Sequence, residues 1–121
     1  MKSFLADLIK EVVSDIQGCF DQGTHHVQID FTEGHLSLKL DPSKAVLQEF
    51  VGLNNRVLGH FTPELRKRIV VHSCPGGDHD STHSADVDYA DLIPSLFQLK
   101  VGSFYLQLAS EKEPEQVLKI I

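Results

Sequence analysis

The chain opens on an apolar stripe at helical spacing. Phe4, Leu5, Leu8, Ile9, Val12, Val13, Ile16 and Phe20 recur every three or four residues, with Lys10, Glu11, Ser14 and Asp15 on the other side. This pattern predicts a helix over 2–20, ended by Gly18 and Gly23. Cys19 falls at its end, where a small apolar thiol is expected to be buried. Residues 26–31 then alternate, which predicts a strand. Residues 32–40 are ambiguous. Gly34 interrupts them, and Leu36, Leu38 and Leu40 alternate with Ser37 and Lys39, which suits a short extra strand or an extended loop.

Asp41-Pro42 signals a helix start, a capping side chain followed by a first-turn proline. Val46, Leu47, Phe50, Val51, Leu53, Val57 and Leu58 are its apolar positions. Thr62-Pro63-Glu64 repeats the signal for a short helix to about Lys67. Residues 68–74 are β-branched and nearly continuously apolar at their start, as expected for a parallel strand covered on both faces. Pro75-Gly76-Gly77 ends that strand, and a polar loop runs to about Ser84. Asp86 or Asp88 is positioned to cap a helix to about Gln98. Residues 103–109 predict a third strand, and Glu113-Pro114 opens a last helix through Ile121. The order is helix, strand, helices, strand, helix, strand, helix. Such alternation predicts an α/β fold of parallel βα units, with right-handed crossovers placing the helices on one side.

Length and composition narrow this picture. The 121 residues are expected to form a single domain. They are too few for an eight-unit barrel, which needs about 250. The chain is 41% hydrophobic and 23% charged, within the ordinary globular range. Its net charge of −6 argues against nucleic acid or an anionic membrane as partner. Arg66, Lys67 and Arg68 form the basic cluster, expected to be a solvated helix end. No apolar run approaches the ~20 residues of a membrane span. The start lacks the layout of a signal peptide. With two cysteines, Cys19 and Cys74, these features predict a cytoplasmic protein with free thiols or thiol ligands.

The candidate chemistry lies on one face of the predicted strands. Alternation places Gln28 with Asp30, His72 with Cys74, and Tyr105 with Gln107. These polar groups fall toward the strands' C-terminal ends, where parallel α/β folds build their sites. His72 and Cys74, two apart on a strand, can reach one metal, and imidazole and thiolate suit zinc. Packed core residues are the other reading of that pair. The loop residues Asp78, His79, Asp80, His83, Asp86 and Asp88 lack calcium-loop spacing and are expected to be a solvated loop with a helix cap. His25 and His26 are expected at the surface, and the pattern offers His35 and His60 no partner.

Three segments in order carry a family resemblance: VHSCPGG at 71–77, YADLIP at 89–94 and FYLQLA at 104–109. Together with VQID at 27–30, they resemble cobalamin-independent methionine synthase. The resemblance implies a segment of a (β/α)8 TIM barrel with about three parallel strands and flanking helices. It implies methyl transfer from methyltetrahydrofolate to the thiol of homocysteine, held as a thiolate by zinc. His72 and Cys74 would be zinc ligands, with Gln107 at the position of the family's glutamate ligand. Asp30 would contact the substrate's amino group.

The sequence also departs from the family. Phe31 and Thr32 replace the glutamate and proline that follow the aspartate, and Gln107 is a neutral donor. The family's last cysteine ligand and catalytic histidine would lie beyond Ile121. Turnover by these residues alone is therefore not expected. Two alternatives follow. One is a non-catalytic half-barrel module that self-associates, as a homodimer, to cover open sheet edges. The other is a relative alkylating another thiol, such as coenzyme M.

Overall fold

The computed structural model describes residues 2–76, 86–109 and 111–121. Three strands form one parallel sheet in sequence order: β1 (Val27–Asp30), β2 (Ile69–Ser73) and β3 (Ser103–Leu106). Six helices accompany them among the described residues: α1 (Lys2–Asp21), α2 (Glu33–Leu40), α3 (Ala45–Leu58), α4 (Pro63–Arg66), α5 (Tyr89–Leu96) and α6 (Pro114–Leu118). The class is α/β, as the alternation predicts. None of the helices is long and apolar enough to cross a membrane.

The pleat sorts the sheet into two faces. Val27, Ile29, Ile69, Val71, Phe104 and Leu106 point to one side and join the two core clusters under the helices. Phe31, just after β1, is fully buried with Leu47, Val51, Leu92 and Leu96 from α3 and α5. Ile9 and Ile16 of α1 pack with Val57, Leu58, Phe61 and Ile69. All sheet residues in these clusters belong to one face, so the helices cover that side. The opposite face carries the polar positions around Val70, which is itself buried.

Local signals explain most boundaries. Thr62 accepts a hydrogen bond from the Leu65 amide at 3.3 Å, and Asp88 accepts one from the Ala90 amide at 2.8 Å; both cap helices. Gly102 precedes β3 where the chain passes the end of α4. A Cβ there would overlap the Lys67 carbonyl, so the position requires glycine.

Several expectations are corrected. Residues 33–40 are helix α2, not a strand or extended loop. A strand would place Leu36, Leu38 and Leu40 on one face. Instead Leu38 is buried, whereas Leu36 and Leu40, four apart, are both exposed. Gly34, His35, Ser37 and Leu38 form the inward stripe. A Cβ at Gly34 would come within 2.6 Å of the Phe31 ring, so the glycine lets α2 lie directly on that ring. Helix α3 starts at Ala45, not at Asp41-Pro42, because α2 runs up to Asp41 and the turn needs the next residues. Asp41 still serves that start. Its carboxylate accepts from Ser43 and from the Val46 amide, and the Ser43 bond leads in holding it below the ordinary aspartate range.

Cys19 is exposed rather than buried, since Ile16 and Phe20 take the inward positions of that turn. Arg68 is more than a solvated helix end. Its guanidinium donates to the Thr24 and His25 carbonyls at 2.6 and 2.8 Å and lies 4.8 Å over the Phe20 ring, tying α1 to the start of β1. Strand β3 and helix α6 are both shorter than expected, the latter ending at Leu118.

Candidate functional site

The polar face is built by register. Asp30 of β1 pairs with His72 of β2, and His72 pairs with Tyr105 of β3. These three side chains therefore form one row across the sheet at its C-terminal end. Gln28 and Ser103 flank Val70 one row earlier. Cys74 directly follows β2 and is half-buried; Gln107 directly follows β3 and is half-buried too. Tyr105 is 54% exposed, so this row opens to solvent rather than to a packed core.

Asp30 and His72 are in direct contact. The His72 Nδ1 lies 3.1 Å from Asp30 Oδ1, and Gln28 Nε2 donates to the same oxygen at 2.8 Å. A carboxylate only accepts, so the imidazole carries its proton on Nδ1. Nε2 is then the nitrogen with a free lone pair in the neutral ring. Both bonds fall on one carboxylate oxygen. The other is unengaged among the described residues and can accept from a cation such as a substrate ammonium.

The sequence pattern missed the groups that frame this row. Tyr89, at the start of α5, is buried and donates its hydroxyl to the Gln107 carbonyl at 2.9 Å, with the Ser73 carbonyl at 3.4 Å. It thereby clamps the C-terminal ends of β2 and β3 together. Burial, followed by the nearby Glu111 and Cys74 charges, pushes its pKa up to about 12, so it remains a donor at neutral pH. The His35 ring meets the Tyr89 ring edge-on at 5.3 Å between centroids. Glu33, at the start of α2, is half-buried; desolvation leads in raising its carboxyl above the ordinary range, and the charge of Asp30 adds to this. The signal available for Tyr89 was its place directly after the capping Asp88. Nothing local marked Glu33 as a neighbour of Asp30.

The predicted site residues are thus partly assembled. Asp30 and His72 touch, Cys74 directly follows β2, and Gln107 directly follows β3. Zinc requires about four donors of the imidazole, thiolate or carboxylate type. Among the described residues no group of three or more His, Cys, Asp or Glu is placed to hold a metal. His72 and Cys74 supply two such donors, and Gln107 adds only a neutral amide. The described residues alone therefore do not complete a zinc centre. The loop residues Asp78, His79, Asp80 and His83 lie outside the described residues. His25 and His26 are exposed as expected, with their Nδ1 atoms 2.7 Å apart.

Comparison with protein-family models, with curated proteins and with solved structures finds no match.

Proposed function

We propose that the chain is a segment of a (β/α)8-type barrel of the cobalamin-independent methionine synthase class, and that its polar sheet face receives the acceptor amino acid, homocysteine. The observation that carries this reading is the contact between Asp30 and His72, at the C-terminal end of adjacent parallel strands. The resemblance implies a carboxylate for the substrate ammonium and an imidazole for the thiol side of the site. These two residues are distant in sequence and meet in one row.

In this reading Asp30 binds the ammonium through its unengaged oxygen and holds the His72 ring in orientation through the other. His72 directs Nε2 toward the thiol. Cys74 stands two residues further along the chain. Tyr89 keeps the ends of β2 and β3 in register so that these groups share one surface. In the family, zinc stabilises the substrate thiolate, which is the nucleophile toward the folate methyl group. His72 and Cys74 would supply two of the roughly four donors that zinc needs, and turnover by residues 1–121 alone is not expected.

The test is calorimetric titration of the 121-residue chain with homocysteine and with coenzyme M, each with and without added zinc. Homocysteine should bind with millimolar affinity, and Asp30→Asn should weaken it at least about fivefold through loss of a charge-assisted bond. Equal binding of coenzyme M with no effect of Asp30→Asn would favour the relative with another thiol acceptor. Absence of any thiol binding would overturn the reading in favour of a non-catalytic module.

A further inference from the structure

Away from the sheet, helices α1 and α3 border an apolar groove of about 410 Å³, lined by Leu5, Glu49, Phe50, Gly52, Leu53 and Arg56. The same two helices expose further large apolar side chains: Phe4 is 64% exposed, Leu8 42% and Val46 40%. Four of the lining residues, Glu49, Gly52, Leu53 and Arg56, follow the i, i+3, i+4, i+7 spacing of a single helix stripe. Gly52 has open space where a Cβ would stand, so another chain can approach the α3 backbone there. Glu49 and Arg56 carry opposite charge at the two ends of the stripe, roughly 10 Å apart along the helix. Neither has an ion-pair partner among the described residues.

This arrangement is complementary to itself. If two copies of α3 pack antiparallel about a twofold axis passing between Gly52 and Leu53, each Glu49 faces the other copy's Arg56. Each Leu53 then faces the open position of the other copy's Gly52. A twofold interface requires such reciprocity, and one charge pair is repeated on both sides of its centre. An unrelated apolar partner would have no need of opposite charges placed symmetrically about a glycine.

We propose that a second copy of this chain docks on the α1–α3 groove, forming a twofold dimer with α3 antiparallel to α3 and two Glu49–Arg56 pairs across it. The proposal rests on the outer helices and not on the methyltransferase reading. It places self-association on this groove rather than on the sheet edges.

Charge reversal tests it on the full 121-residue chain by sedimentation velocity, across a concentration series from about 1 to 100 µM at low salt. The unsubstituted chain should sediment as a dimer at the upper concentrations. Glu49→Arg should place like charges opposite each other twice, and so should Arg56→Glu. Each variant alone should dimerise at least about tenfold more weakly. An equimolar mixture of the two variants restores both attractive pairs, so a heterodimer should form with affinity near that of the unsubstituted chain. Both positions are exposed, and the mixture itself reports whether the variants are folded. The proposal is overturned if the unsubstituted chain is monomeric at 100 µM, if either variant dimerises as well as the unsubstituted chain, or if the mixture stays monomeric. Undiminished dimerisation of both variants would move the interface to the sheet edges.

Discussion

The two faces of the sheet are made by neighbouring residues of the same three strands. On the helix side, Ile29, Val71 and Phe104 sit in one register row and pack into the core with Phe31, Leu92 and Leu96. One residue further along each strand, Asp30, His72 and Tyr105 form the next row and face the open side. The backbone hydrogen bonding is continuous through both rows, so the strands alone do not distinguish them. What differs is the partner. The helices supply apolar surface to one row, whereas Tyr105 in the other is 54% exposed. One face is therefore under packing constraint, and its residues set stability. The other, apart from the buried Val70, is less constrained by packing, and its residues are those proposed to bind. Phe31 shows the boundary between the two. The residue after Asp30 turns inward and is fully buried, and it occupies the position where the resembled family has a glutamate.

That division is sharpest at Phe31 itself. Phe31→Glu would install the glutamate of the resembled family, yet it would remove a buried ring and place a carboxylate in the core. The expected loss is about 4 kcal/mol or more, enough to unfold a marginally stable domain. Urea denaturation followed by circular dichroism measures it, and an unchanged midpoint would break the comparison.

On the open face the expected effect is much smaller. Asp30→Asn and His72→Ala should each shift stability by no more than about 0.5–1 kcal/mol, because the pair is partly solvated. A loss as large as that of Phe31→Glu would mean that the row is a structural element and not a binding surface.

The smallest effect concerns Glu33. Burial raises its folded-state carboxyl above the ordinary value of 4.5, so the folded chain binds more protons than the unfolded chain as pH rises from that value. Stability is then highest below this window and falls as Glu33 ionises through it. Glu33→Gln should flatten that slope. At pH 7 it should stabilise by less than about 0.5 kcal/mol, since solvent screens a half-exposed carboxylate. Thermal melts from pH 4 to 8 would show it, and an unchanged slope would exclude Glu33 as its source.

How far the sequence reached depended on whether a signal was local. The first helix, the three strands and the Thr62 and Asp88 caps follow from spacing and side-chain chemistry within a few residues. So does the sharing of faces by Gln28 with Asp30, His72 with Cys74, and Tyr105 with Gln107, because strand alternation is a backbone property. Residues 33–40 were not legible, since leucines at 36, 38 and 40 fit two periods and only the packing of Leu38 against the core decides between them. The polarity of the Asp41 region was legible, but its role was not. Its carboxylate anchors the next helix from beyond the expected cap position.

By itself, then, the sequence determined the α/β class, the order of elements and which side chains lie on the polar face. It also placed Asp30 and His72 among the groups to watch. The tertiary structure decided that these two meet in one row, and that Tyr89 locks β2 to β3 beside them. It decided that Cys19 faces solvent, and that α1 and α3 leave a groove between Glu49 and Arg56. Each of these depends on register or on helix packing between segments far apart in the chain. Such contacts are fixed by the burial of the whole apolar face at once, and no local window of sequence contains that information.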